Sequence, residues 1–246
     1  MRHARVIYLV GRSLKMIRNY NEFVEKLLDY GFCLGGGNDE GIFSIISWNW
    51  TEPPPDESPI CWHTGDIETD PWEWRTRVLN ERKDIAYSKV FFKKTGFITK
   101  KWYPYFLAAR RGGISFEEAY EDGTISHFAK RIYEIVTDNE RLPVDVIKKL
   151  AGFTREDKSG FDRALVELQM KMFLTMCGAQ QKLSKTGEEY GWSSTVFCSV
   201  EKFFGEAVME ETENLNREEA VDAIRAQILK INPSAQEKKI AKFIKG

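Results

Sequence analysis

The chain has 246 residues, of which 42% are hydrophobic and 30% charged, and its formal net charge is -1. This composition is typical of a globular protein with one large or two moderate cores, and it excludes a broadly disordered chain and a histone-like polycation. The four cysteines are widely spaced and form no C-x-x-C pair, so we expect free thiols in a reducing cytoplasm rather than a zinc site or a disulfide scaffold.

The first sixty residues are predicted to contain a short helix and a proline-rich loop. Asn19 to Tyr30 has the apolar spacing of an amphipathic helix, with Phe23, Leu27 and Leu28 facing inward. The glycine run 35–37 predicts a turn, since no Gly-Lys-Ser/Thr follows it as in a phosphate-binding loop. No apolar run approaches the length of a membrane span, so no membrane partner is expected. The first ten residues are interpreted as an extension or an edge strand.

Residues 61–77 crowd carboxylates and tryptophans into one segment. Asp70-Pro71 predicts the start of a helix that reaches about Leu79. The candidate catalytic residues are the carboxylates just before and at this start, Asp66, Glu68 and Asp70, one of which could act as a general acid or base. With His63 the same carboxylates could bind a metal. They could equally be a helix cap and solvated turn charges.

Residues 82–111 carry nine basic side chains and one acidic side chain, interleaved with aromatic rings. The pattern predicts a strand, a turn at Lys94 to Gly96, and a helix from Ile98 to Arg111. Basic residues neutralise phosphates and aromatic faces stack on unpaired bases, so this segment favours nucleic acid. The candidate DNA contacts here are Lys89, Lys93, Lys94, Lys100, Lys101, Arg110 and Arg111. The alternative is a solvated lysine face over core aromatics.

The stretch from Pro143 to Val200 predicts a helix, a turn, a second helix and a hairpin, which is the order of a winged helix. Pro143 to Ala151 forms the first helix, and a capping box at Ser159 begins the second, which reaches about Phe173. β-branched and aromatic residues on both sides of a polar turn predict the hairpin. On the second helix Lys158, Arg163 and Lys171 are candidate DNA contacts. A winged helix that only packs against another domain is the alternative.

The predicted fold class is α+β, mainly α with small β-hairpins and one or more winged helix-turn-helix domains. We divide the chain into four parts: residues 1–60 with the first helix and the proline-rich loop, 61–123 as a basic aromatic-rich helical region or degenerate winged-helix element, 124–205 as the winged-helix domain, and 206–246 as C-terminal helices. No internal sequence repeat is detected.

In their order along the chain, the segment WHTGD-x-x-x-DPW-x-WR, the basic aromatic segment, and a winged helix with YGWSSTVF in its wing resemble AlkZ-type winged-helix DNA glycosylases and their shorter AlkZ-related relatives. The resemblance covers roughly residues 60 to 205. It implies tandem winged-helix elements that grip DNA on a basic concave surface, and removal of alkylated bases by hydrolysis of the N-glycosidic bond.

This chain departs from the family's catalytic signature, a glutamine followed two residues later by glutamine or aspartate. None of its glutamines has that spacing (Gln169, Gln180, Gln181, Gln227 and Gln236). No catalytic residue can therefore be carried over from the family.

A related chemistry remains conceivable from the residues themselves, because an alkylated base is a good leaving group and one carboxylate beside aromatic rings could suffice. The candidate base-pocket aromatics are Trp62, Trp72, Trp74, Trp102, Tyr103 and Trp192. The expected partner is duplex DNA, with no cofactor and no resident metal. A non-enzymatic protein-interaction module and a metal-dependent nuclease are the two alternatives.

Overall fold

The computed structural model describes residues 16–183 and 186–246, and these residues form eleven helices and six strands. The helices are α1 (Tyr20–Tyr30), α2 (Pro71–Glu81), α3 (Tyr103–Arg110), α4 (Phe116–Glu121), α5 (His127–Asp138), α6 (Val144–Leu150), α7 (Lys158–Met170), α8 (Val200–Phe204), α9 (Glu206–Glu213), α10 (Arg217–Ile231) and α11 (Glu237–Lys245). The strands are β1 (Phe32–Leu34), β2 (Ile85–Phe91), β3 (Lys94–Thr99), β4 (Arg141–Pro143), β5 (Leu174–Leu183) and β6 (Glu189–Ser199). The predicted α+β class is confirmed.

The strands form one antiparallel sheet in the order β1-β3-β2-β5-β6-β4. Two hairpins, β2-β3 and β5-β6, make up its centre, and they join where Tyr87 of β2 lies opposite Met176 of β5. The short strands β1 and β4 add to the outer edges. The sequence predicted the β5-β6 hairpin. For the first hairpin it predicted β2 and a turn but a helix in place of the second strand, and it did not indicate that the two hairpins share a sheet.

The two halves of this sheet repeat the same topology. In the first half β3 lies between β1 and β2, and in the second half β6 lies between β4 and β5. In each half the middle strand is the last of the three along the chain. A helix precedes each short strand (α1 and α5), and another precedes each hairpin (α2 and α7). The halves meet through one antiparallel pair, as expected for an approximate two-fold axis normal to the sheet. The repeat is therefore topological, although the sequence shows none.

The C-terminal half contains helix α5, strand β4, helices α6 and α7, and the β5-β6 hairpin, in that order. Strand β4 pairs with β6, so the hairpin has a third strand beside it. The helices and the hairpin lie where the sequence predicted them. The assignment of this segment as a winged helix remains a prediction.

Three details of the helices differ from the sequence prediction. Helix α7 begins at Lys158 after Asp157, so Ser159 lies inside it and forms no capping box. The predicted helix from Ile98 is wrong at its start, because β3 continues to Thr99 and α3 begins at Tyr103. Leu28, predicted to face inward, is exposed.

The turn in the first hairpin lies at Phe92 and Lys93, not at Lys94 to Gly96 as predicted. Phe91 pairs with Lys94, and both turn residues have positive φ angles, +52° and +62°. Gly96 lies inside β3, where a Cβ atom would be only 2.4 Å from the Phe91 ring. The glycine serves close packing and does not form the turn.

One hydrophobic core extends through both halves of the sheet. Helices α10 and α11 pack on α3, and Phe243 of α11 stacks on Phe91 with ring centroids 3.8 Å apart.

The sheet itself crosses the predicted boundaries at residues 60 and 123, while the four-part division stays a prediction. No helix in the described part of the chain is long and apolar enough to cross a membrane. The interpretation of residues 1–10 lies outside the described residues.

Candidate nucleic-acid interface

Two cavities lie beside the Phe92-Lys93 turn, and consecutive residues of the hairpin line them. Lys93 lines a groove along helix α7, of about 1010 Å³, which we call the α7 groove. Lys94 lines a pocket of about 500 Å³ that contains three tryptophans, which we call the tryptophan pocket. Consecutive Cα atoms are about 3.8 Å apart, so the two cavities are neighbours across the turn.

Basic side chains dominate the α7 groove. Its walls are the exposed side of α7, the two residues 155–156, the hairpin turn and the end of α11. Three acidic residues face six basic ones, which are Lys93, Arg155, Lys158, Arg163, Lys171 and Lys245. Within the described residues none of these six makes an ion pair. The side chains that line the groove therefore carry an excess of three positive charges, six basic against three acidic.

Two of the three acidic residues in this groove have partners of their own. Asp162 lies 3.7 Å from the ammonium of Lys148. Glu167 accepts hydrogen bonds from the backbone N–H and the hydroxyl of Ser126. These contacts occupy the carboxylates and leave the groove's basic groups available to an anion.

The tryptophan pocket lies between the glycine run 35–37, the start of α2 and the β2-β3 hairpin. Trp50, Trp62 and Trp72 line it, and the Trp50 ring lies edge-on to Trp62 with centroids 6.4 Å apart. Trp50 is 63% exposed, which is unusual for so large an apolar side chain. The pocket therefore offers aromatic surface to a planar ligand.

Residues larger than glycine would not fit in this run, because the side chains of Trp62 and Thr95 pack directly on its backbone. A Cβ atom at Gly36 would lie 2.5 Å from the Trp62 ring, and one at Gly35 would lie 2.6 Å from the Thr95 hydroxyl. Gly37 has a φ angle of +69°, which favours glycine. The sequence predicts this run only as a turn.

A charge network closes one side of the tryptophan pocket. The Lys94 ammonium lies 3.1 Å from a Glu40 carboxylate oxygen and 4.0 Å from Asp39, and the Lys239 ammonium lies 2.7 Å from Glu40. Hydrogen bonds from Lys239 and Lys94 lower the pKa of Glu40 below its usual value. Glu40 is thus held ionised, and it ties the pocket to α11.

Arg75 lies on the opposite side of the pocket, one helical turn after Trp72. Its guanidinium stacks over the Trp72 ring at 3.3 Å from the centroid, and its Nε donates to the Trp72 carbonyl. The pocket continues past Arg75, Tyr87 and Lys89 into a cleft that reaches Ser193 and Thr195 of β6. Arg75 and Lys89 line both parts.

The three carboxylates predicted to be catalytic have structural contacts. Asp70 is fully buried and accepts four backbone N–H hydrogen bonds, from residues 63, 64, 65 and 72. Asp66 accepts from the Glu68 N–H and the Thr69 hydroxyl, which lower its pKa. Glu68 pairs with Arg77 at 2.9 Å. None of the three lines the tryptophan pocket.

His63 and these carboxylates also fail to converge as metal ligands. His63 packs against Trp72, with ring centroids 4.8 Å apart. Among the residues the structure describes, no group of three His, Cys, Asp or Glu side chains could hold a metal ion. The alternative of a metal-dependent nuclease centred on His63 has no ligand set in this region.

The predicted DNA-contacting residues divide into separate groups. Lys93, Lys158, Arg163 and Lys171 meet in the α7 groove, and Lys89 and Lys94 line the tryptophan pocket. Lys100 and Lys101 follow β3, and the Lys100 N–H donates to the Asp84 carbonyl at the far end of the hairpin. The ten residues therefore do not form a single cationic surface.

Arg110 and Arg111, which the sequence predicts to contact DNA, form contacts with other parts of the protein. The Arg110 guanidinium donates to the carbonyls of Met170, Phe243 and Ile244, and burial lowers its pKa to about 10. Arg111 pairs with Glu201 at 2.7 Å. Both side chains serve to hold elements of the protein together.

The aromatic residues predicted to form a base pocket also lie in different places, some in the tryptophan pocket and others in the core. Trp62 and Trp72 line the tryptophan pocket. Trp74 and Tyr103 are only 1% exposed in the core, so no base could reach them, and burial raises the pKa of Tyr103. Trp102 packs on Gly31 and Phe32. The side chain of Trp192 lies outside the described residues.

Sequence reasoning missed several residues that line these cavities, namely Gly35, Gly36, Trp50, Arg75, Arg155 and Lys245. The helical spacing of Trp72 and Arg75 could have indicated Arg75, since residues three apart on a helix are neighbours. Trp50 and Lys245 reach their cavities only through tertiary structure.

These features define an α+β protein with a topologically repeated sheet, a cationic groove on one helix and an adjoining tryptophan-lined pocket. The AlkZ-related family matches residues 17–245, so the chain belongs to that family, and membership relates it to DNA glycosylase-like proteins. Neither the curated proteins nor the solved structures yielded a match.

Proposed function

We propose that the protein binds duplex DNA along the α7 groove and holds one nucleotide, extruded from the helix, in the tryptophan pocket. The observation that carries the proposal is the position of Lys93 and Lys94, adjacent residues that line the two cavities. A backbone held in the groove can therefore present a neighbouring nucleotide to the pocket.

The order of elements supports DNA as the partner. If the segment from α5 to β6 is a winged helix, α6 and α7 are its helix-turn-helix and α7 is the recognition helix. That helix is the one lined with basic residues. Lysine and arginine in such a groove neutralise phosphates and release counterions. This positive groove favours DNA over the alternative of a winged helix that docks a protein.

The tryptophans support extrusion of a base. Removing a base from the stack costs a few kcal/mol. Stacking on an aromatic side chain returns about 1–3 kcal/mol per base. Trp50 and Trp62, which line the pocket, supply two such surfaces.

The proposal does not include excision by the predicted carboxylates. Asp66, Glu68 and Asp70 are all engaged in turns, caps or an ion pair outside the pocket. A carboxylate that orients water must have an acceptor oxygen facing the substrate. The function that the geometry supports is therefore DNA binding with recognition of an extruded base.

Fluorescence anisotropy of labelled duplex at several salt concentrations tests the proposal. Replacing the groove cations Lys158, Arg163 and Lys171 with glutamine should weaken binding and reduce the slope of log Kd against log salt by roughly three, about 0.9 for each phosphate that is no longer neutralised. The control is the double variant Lys100→Gln/Lys101→Gln at the far end of the hairpin, which should keep the slope. Salt-insensitive binding, or equal losses in both variants, would contradict the proposal.

A further inference from the structure

The charges around the tryptophan pocket do not cancel. On one side, the carboxylates of Asp39 and Glu40 are matched by the ammonium groups of Lys94 and Lys239. On the other side, Arg75 and Lys89 line the pocket and make no ion pair within the described residues. The interior therefore retains two positive groups.

The adjoining cleft does not reverse this balance. Glu73 is its one acidic lining residue in the described chain, and it lines only the part beside β5 and β6. Arg75 and Lys89 face both parts, so the positive charge extends through the whole cavity. The stack of Arg75 on Trp72 fixes that charge next to the aromatic surface.

We infer that the tryptophan pocket selects an uncharged base that carries hydrogen-bond acceptors and discriminates against a base with a fixed positive charge. This inference rests on the proposed function and names its substrate class. It differs from the excision of cationic alkylated bases that the family resemblance implies.

The chemistry of the lining residues gives the reason. Guanidinium and ammonium groups are donors with no acceptor capacity, so they match ring nitrogens and carbonyl oxygens. Arginine in particular can donate to the O6 and N7 acceptors of guanine. A base alkylated at N7 loses that acceptor and gains a positive charge, which Arg75 and Lys89 would repel.

Two isosteric bases test the inference directly. One duplex carries 7-methylguanine, which is cationic, and the other carries 7-methyl-7-deazaguanine, which has the same shape and no charge. 2′-Fluoro sugars at both positions keep the glycosidic bond intact during the measurement. We expect the wild-type protein to bind the neutral duplex about tenfold more tightly, because the charges act across a partly desolvated pocket.

Variants of Arg75 and Lys89 show whether these two side chains cause the preference for the neutral base. Arg75→Gln and Lys89→Gln should each reduce the preference for the neutral base, and Lys101→Gln, remote from the pocket, should leave it unchanged. Equal affinity for the two duplexes, or a preference for the cationic base, would overturn the inference while leaving DNA binding intact. Failure to bind any duplex would overturn the proposed function and this inference with it.

Discussion

At the scale of single residues, the carboxylate of Asp70 organises the loop before α2. Four backbone N–H groups point at its two oxygens, and one of them belongs to the first turn of the helix. The sequence predicted the helix cap from the Asp-Pro pair, because capping depends on adjacent residues. It could not show that the cap would be fully buried, since the loop from residue 63 to 65 closes over it.

Replacing Asp70 with alanine should therefore lower the free energy of unfolding by about 2 kcal/mol, because a cap is lost and buried N–H groups remain unpaired. Urea denaturation followed by circular dichroism measures the change. Asp56→Ala, at an exposed turn, is the matched control and should leave the urea midpoint close to that of the wild type. An unchanged midpoint for Asp70→Ala would refute the structural role.

Arg110 gives a second prediction at this scale. Arg110→Met removes the donor to three partly buried carbonyls, so we expect a loss of roughly 3 kcal/mol in unfolding free energy. Thermal denaturation measures this loss, and the salt slope of DNA binding should stay as in the wild type. A reduced slope with normal stability would instead place Arg110 on phosphate.

At the scale of elements, the β2-β3 hairpin separates the two cavities. Its two turn residues both have positive φ, a conformation in which asparagine and glycine are usual and phenylalanine and lysine are strained. Strain retained beside a binding surface is consistent with a functional constraint. The sequence misplaced this turn because Gly96 is the local turn signal, whereas packing of Gly96 on Phe91 decides the register.

Lys93→Gly should stabilise the protein by about 1 kcal/mol and weaken DNA binding at the same time, since it relieves strain and removes a groove cation. Lys93→Gln, which keeps the strain and removes the charge, should weaken binding to the same extent without the gain in stability. Denaturation and anisotropy together separate the two effects. Unchanged DNA affinity in both variants would show that the turn has no binding role.

At the scale of the whole molecule, the fold joins two hairpins into a sheet through one strand pair. The sequence predicted most helices and the β5-β6 hairpin, because these depend on local periodicity and turn residues, but it did not predict that β3 follows the turn after β2. It could not predict the pairing of Tyr87 with Met176, which brings distant segments together. Gln169 is a clear example, since it is buried and its amide oxygen accepts from Ser88 and Lys89 of the other half.

The residues of the candidate site are also brought together by tertiary structure. Local patterns identified the basic residues of α7 and the tryptophans at the start of α2. Lys245 of α11 and the loop residue Trp50 join them only because α11 and the 35–70 segment fold back on the sheet. The sequence therefore indicated the chemistry of the site, and the three-dimensional fold determines which residues meet.

The most direct test of base extrusion is the permanganate reactivity of a thymine opposite a single hypoxanthine in a bound duplex. If the pocket takes the extruded hypoxanthine, its thymine partner should become reactive with the wild-type protein. The double variant Trp50→Ala/Trp62→Ala should still bind the duplex but leave the thymine protected. Full protection in the wild-type complex at saturating protein would contradict extrusion into the tryptophan pocket.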